Sequence, residues 1–455
     1  MSLNSPVVKH PFKSLFITVA GAFLLLGGAF YNKYPLVYSD TSTYLSSGFE
    51  LETPADRPIM YGLFIRAASL NGISLWLVVL LQSALLSYLI LLTCRQWFPK
   101  KRDAFTSLLI LLVLSLTTGL SWVASEIMPD IFTPICLLCI VLIITHQNLS
   151  KRELTGLYVI FLFANAMHFS HILINTSLLV VLLLLKWSFP VKFSPSITYR
   201  KLSILFILVL AGIATMTAAI SKSRHVFTMG TMVENGILKK YLDENCGQKN
   251  YGLCAYKDSL PATAVDFIWR DNSPFVKMGG WKATKTEYNA IIFATYTQPR
   301  FIGLHIVESL KSTWHQLFRF SIGDGNAMFT EGTLLFERIA AFIPSEKNAF
   351  RDARQNSQPL YLVKPVNNWF LIFMAISILL IPMVWIVKHS IFKSPQELLL
   401  VLLLLTGVLL NAWVSGTFAN AIDRLGCKMM WLLPFLLLLM LFKGKNSGVV
   451  KNGVL

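Results

Sequence analysis

The sequence is divided into long apolar runs, and many of its cations gather in short clusters beside them. A helix that is apolar on every side must be covered by lipid or by other helices, and about 20 such residues cross the hydrocarbon core. That test places spans near 14–31, 74–94, 104–121, 131–146, 155–169, 171–187, 201–220, 367–387, 396–414 and 428–442. The expectation is an all-α polytopic membrane protein with about ten transmembrane helices. Composition agrees, since 55% of residues are hydrophobic and 14% charged, against about 25% charged in a soluble domain.

Placing the charges settles how the net charge of +17 is read. The clusters Arg95–Arg102 and Lys443–Lys445 flank apolar runs, the pattern that holds loops on the cytoplasmic side, and nucleic acid is not needed to explain them. Leu154 to Trp187 is too long for one span and has cations at both ends, Lys151 and Arg152 before it and Lys186, Lys192, Arg200 and Lys201 in or after it. It is therefore expected to cross twice, as a tight hairpin. With the N-terminus inside, both termini are cytoplasmic and the loops 32–73, 122–130, 168–171, 221–366 and 415–427 lie outside. Lys9 and Lys13 precede the first run without a small-residue cleavage site, so that run reads as a retained span. Three regions follow: 1–220 with about seven spans, 221–366 as a mostly helical extracytoplasmic domain, and 367–455 with about three spans. Cys94, Cys136, Cys139 and Cys427 sit in or beside apolar runs and read as core residues. Cys246 and Cys254 lie in the polar region, where an oxidising compartment permits a disulfide.

The outer loops collect the polar residues that need a reason to be there. Tyr38-Ser-Asp-Thr-Ser-Thr-Tyr44 puts Asp40 just beyond the first span, and a carboxylate at such a boundary loses hydration. It can serve as a general base, or it can cap a helix starting at Thr41. In Ser125-Glu-Ile-Met-Pro-Asp130, Glu126 and Asp130 are four apart, and with Asp40 they are oxygen donors that a divalent cation such as Mg or Mn would accept. His168 and His171 mark the hairpin tip, as bases, phosphate donors or simply hydrogen-bonded turn residues. Arg57, Arg66, Lys222, Arg224, Arg424 and Lys428 lie near spans on the face where cations are normally depleted. An anionic ligand would account for them, and a forked guanidinium suits phosphate. Asp423 and Arg424 can also form a local ion pair. The 299–320 stretch has apolar residues at roughly helical spacing, as for a helix at the bilayer interface or one packed on a domain core.

An acidic first outer loop with Tyr38-Ser-Asp40-Thr-Ser-Thr-Tyr44 and a second with Ser125-Glu126 to Asp130 together resemble the GT-C superfamily of membrane glycosyltransferases. Ala421-Ile-Asp-Arg424 to Trp431-Leu-Leu-Pro434 is similar to the last outer loop and span of bacterial members. The resemblance implies a polyprenyl-phosphate-linked sugar as donor and an extracytoplasmic glycan, lipid or protein as acceptor. It further implies a bacterial inner membrane, with the active site on its outer face. Asp40, Glu126 and Asp130 become the catalytic acids; Arg57, Arg66, His168, His171, Arg224, Arg424 and Lys428 become candidates for substrate and phosphate binding. Many members carry two adjacent acids where Thr41 follows Asp40 here, which makes single-base catalysis the simpler carry-over. Two other classes compete: a polymerase or ligase of lipid-linked glycans, and a non-enzymatic flippase of lipid-linked sugars. An acyltransferase using His168 or His171 is a further option. Transporters concentrate polar residues and broken helices at mid-membrane, whereas these lie at one surface, which favours an enzyme.

Overall fold

The computed structural model describes residues 11–98, 103–146, 148–388 and 394–443. The expected cytoplasmic cations Lys9, Lys100, Lys101, Arg102 and Lys445 lie outside the described residues. Within them the protein is helical, and its one extended pairing is an isolated parallel bridge between Leu36 and Glu126. Six helices are long and apolar enough to cross a membrane: Leu75–Trp97, Phe169–Ser188, Tyr199–Glu234, Val363–Val387, Pro395–Phe418 and Asp423–Phe442. Ser14–Leu25, Ala104–Thr117 and Pro129–Thr145 are apolar but shorter. The expected span at 155–169 holds the 15-residue helix Lys151–Asn165. The protein is thus a helical, membrane-embedded one, with six helices among the described residues long and apolar enough to cross.

The shortening has local causes. The first apolar run breaks at Leu26 and closes at Lys33, which adopts φ +61°. The third ends at Thr117; after Thr118-Gly119 a new short helix, Leu120–Ser125, starts and stops before Glu126. Hydropathy is blind to both breaks because apolar residues continue through them. Between 155 and 187 two helices meet at a turn, Ala166–His168, and His168 caps the second by accepting from Ser170 N at 3.2 Å.

Two hydrophobic cores exist. The larger runs through the helix bundle; the smaller is built from Val226 to Phe301 and is centred on Tyr241, Phe267 and Tyr288. Tyr199–Glu234 joins them as one continuous helix of 36 residues, roughly 54 Å long at 1.5 Å per residue. Within the 221–366 region, Ile322, Phe329, Phe336, Ile339 and Phe350 pack into the larger core. Polar ties hold this later part on the first outer loop. Glu346 accepts from Tyr34 Oη at 2.7 Å, from Leu75 N at 3.2 Å and from Ser74. Gln355 bonds both backbone groups of Val37, at 3.2 and 2.7 Å. The expected disulfide joins Cys246 to Cys254, and the other four cysteines are buried.

Thr41–Glu50 and Met60–Ala68 cross closely enough that a Cβ on Gly62 would lie 2.7 Å from Gly48 N and 2.6 Å from the Tyr44 carbonyl. Backbone cannot yield as a flexible side chain does. Gly62→Ala is expected to lower stability by about 1–3 kcal/mol, the usual cost of overpacking, read as earlier thermal unfolding in detergent.

Candidate functional site

The break after Leu120–Ser125 leaves backbone groups that need partners, and the first outer loop supplies them. Leu36 N donates to the Ser125 carbonyl at 2.9 Å and Ile127 N to the Leu36 carbonyl at 2.9 Å. Thr41 Oγ1 accepts from Tyr38 N at 3.0 Å and donates to the Ile127 carbonyl at 3.1 Å. From Leu75–Trp97, the buried Gln82 Nε2 donates to the Ala124 and Glu126 carbonyls at 3.0 and 2.7 Å. Buried backbone groups must be paired, so these bonds lock the two acidic loops together.

Their carboxylates meet cations from elsewhere. Asp40 occupies the position before Thr41–Glu50 but makes no side-chain capping bond. Instead Oδ1 lies 3.2 Å from Arg57 and Oδ2 lies 3.4 Å from Arg424. Arg424 and Lys428 are one helical turn apart and share a face. Arg424 also lies 3.7 Å from Asp130, and Lys428 Nζ donates to Asp130 Oδ1 at 3.0 Å. Arg57 also pairs with Asp56, and it sits 5.0 Å from the Tyr44 ring; Arg424 sits 4.1 Å from the Tyr38 ring. The cluster thus sets Asp40, Asp56 and Asp130 against Arg57, Arg424 and Lys428. Lys428 and Asp130 are almost fully buried, whereas the Asp40 side chain is 30% exposed. The open end of the network is Asp40.

A loop from the 318–357 part roofs the cluster. Ser321-Ile-Gly-Asp-Gly-Asn326 turns at Gly323 (φ +90°) and Gly325 (φ +75°), and Gly325 lies so close on Tyr38 that no Cβ fits. Asp324 accepts from Arg424 N at 3.2 Å, and Asn326 accepts from Trp122 Nε1 at 2.8 Å. Ser321 N donates to Asp423 at 2.9 Å, so Asp423 holds the roof; no local Asp423–Arg424 ion pair forms among the described residues. Beneath it, Glu126, Asp324, Arg424, Trp122, Gly323 and Cys427 line a small pocket. Arg424 Nε is buried there without a hydrogen-bond partner. Glu126 lies between helices; burial, and then the nearby Asp130, push its carboxyl up to about 8, so it is uncharged at neutral pH.

Compared with family models, with curated proteins and with solved structures, the chain matches none.

Asp40, Glu126, Asp130, Arg57, Arg424 and Lys428 therefore share one site. The other candidates do not join it. Arg66 caps the end of Thr41–Glu50, facing the Gly48 and Phe49 carbonyls at 3.4 and 3.5 Å and bonding Asn71 at 2.9 Å. Arg224 is exposed on Tyr199–Glu234 and pairs with no member of the cluster. Both ring nitrogens of His171 are engaged, by Thr133 at 3.0 Å and by the Ala164 carbonyl at 2.8 Å. His168 stands 5.7 Å from it and uses Nδ1 as a cap. Neither histidine bonds the cluster. A divalent cation does not fit the donor set as arranged: Asp40 and Asp130 already face Arg57, Arg424 and Lys428, and no three acidic, His or Cys groups converge among the described residues. Asp324 and Asn326 escaped the sequence reading. The available signal was an Asp between two glycines in 321–326.

Two measurements follow. Removing one partner of a buried pair strands the other: Lys428→Met alone is expected to cost about 3–5 kcal/mol, and Asp130→Asn added to it recovers part of that loss in thermal unfolding. Glu126 binds its proton more tightly folded than unfolded, where its value is 4.5. Its contribution is therefore full below pH 4.5 and declines until pH reaches about 8. Glu126→Gln should flatten the fall of melting temperature with pH across that window.

Proposed function

We propose that the protein is a membrane glycosyltransferase that moves a sugar from a polyprenyl-phosphate donor to an extracytoplasmic acceptor, with Asp40 as the general base. The observation that carries this reading is the partly open Asp40 carboxylate held between Arg57 and Arg424. It offers a base and phosphate-binding guanidiniums within one step of each other. An entering lipid phosphate takes Arg424, whose Nε lacks a partner, and frees an oxygen of Asp40. The acceptor hydroxyl then gives its proton to Asp40 as its oxygen bonds the anomeric carbon. The bond from that carbon to the phosphate oxygen breaks, and the lipid phosphate leaves as a stable anion. Attack opposite the leaving group inverts the anomeric centre. Asp130, itself paired with Lys428, holds Arg424 from behind, and Glu126, uncharged, adds no repulsion toward the phosphate.

In this reading all the apolar segments of the sequence lie in or against a bacterial inner membrane, the termini are cytoplasmic, and the cluster faces the outer side. The chemistry needs no metal step. An acyltransferase reading through His171 loses ground because that residue has no free ring nitrogen. The flippase reading differs in releasing no product. Purified protein incubated with a polyprenyl-phosphate sugar should liberate free polyprenyl phosphate. Asp40→Asn, inserted normally in the membrane, should lower that rate by about 10²–10⁴-fold. Arg424→Gln should mainly raise the donor KM. Full activity in Asp40→Asn would remove Asp40 from the role.

A further inference from the structure

Arg224 and Lys222 were expected to bind an anion, yet the cluster around Asp40 leaves them out. Their surroundings give them another partner. Tyr199–Glu234 stays apolar up to Ile220 and then reads Ser-Lys-Ser-Arg-His225. At 1.5 Å per residue, Lys222, Arg224 and His225 stand roughly 3–8 Å beyond the apolar stretch, while each headgroup layer is roughly 5–8 Å thick. This turn of helix is thus at headgroup height. His225 Nε2 contacts the Trp281 carbonyl at 2.9 Å, and Gly280–Ala283 packs on the same helix, which brings the 271–286 segment down to that level.

The segment suits the position. It carries Lys277, Lys282 and Lys285 against one carboxylate, Asp271. All three lysines, like Lys222 and Arg224, are exposed, and none of the five is in an ion pair among the described residues. Elsewhere in the same unit pairing is mixed: Lys239 pairs with Asp243 and Asp258, and Arg300 with Glu244, whereas Lys240 and Lys249 are in no ion pair among the described residues. Beside the unpaired lysines, Val276 is 43% and Trp269 50% exposed, and the Trp269 ring lies 5.9 Å from that of Trp281. Half-exposed tryptophan among unpaired cations is the side-chain mixture that interfaces retain.

We infer that Lys222, Arg224, Lys277, Lys282 and Lys285 form a docking surface for anionic phospholipid headgroups, which holds the Val226–Phe301 unit down on the leaflet from which the long helix emerges. The occupant is the membrane's own lipid, since the patch lies at headgroup height and offers apolar side chains as well as charge. This inference does not depend on the glycosyltransferase reading, only on the Tyr199–Glu234 helix crossing a bilayer.

The test compares amide hydrogen exchange over 271–286 in the full chain, in nanodiscs of phosphatidylcholine and of phosphatidylglycerol. Exchange is expected to slow several-fold in phosphatidylglycerol, and high salt should reverse the effect, as for exposed charges. Lys277→Gln, Lys282→Gln and Lys285→Gln combined should abolish the difference, and the matching Arg variants should keep it. Equal exchange in the two lipids overturns the inference, and the unaltered chain alone decides this. Equal protection in phosphatidylcholine on adding inorganic phosphate overturns it as well, because the surface would then be a soluble-anion site.

Discussion

Two guanidiniums, Arg57 and Arg424, hold the Asp40 carboxylate where sequence on either side is apolar, and the remaining architecture can be followed outward from that contact. A lone ion in such surroundings is costly, so each charge recruits a partner of opposite sign. Arg424 leans on Asp130, Asp130 on Lys428, and Arg57 on Asp56. The partners come from three separate parts of the chain, so compensating the charge also fixes how those parts meet. The backbone repeats the arrangement: the Leu36–Glu126 bridge pairs the loops that carry Asp40 and Asp130.

The same requirement explains the interrupted helices. A regular helix through residues 118–128 would use its own carbonyls and would leave none for Leu36, Thr41 and Gln82. Breaking it shortens an apolar helix and opens room for Glu126, which burial keeps uncharged while its neighbours are ionised. Carboxyl groups a few residues apart are thereby given different charge states by their surroundings alone. The roof loop 321–326 then closes over Tyr38 and Arg424, leaving Asp40 as the accessible charge.

Part of this could be read from residue order. Asp40, Glu126, Asp130 and Arg424 stood out because polar groups beside apolar runs must find one another, and that reasoning is insensitive to the details of helix ends. Arg66 and Arg224 shared the residue type but not the reach: Arg66 is spent on carbonyls of its neighbouring helix, and Arg224 sits on the far unit. The 221–366 region was expected to hold the extracytoplasmic domain because no other part is large enough for one, and Ile322 to Phe350 packs into the bundle core. Long-range packing of that sort leaves no local trace. The helix breaks were not legible for the related reason that Leu26 and Thr118 are as compatible with a helix as with its end.

The central claim is that the Asp40–Arg424 contact stands in for a bound phosphate and opens to admit one. A structure determined with polyprenyl phosphate bound tests it most directly. The account predicts the phosphate within hydrogen-bond reach of Arg424, with an Asp40 oxygen released toward the acceptor side. A phosphate bound elsewhere, with the Asp40–Arg424 contact intact, would contradict it.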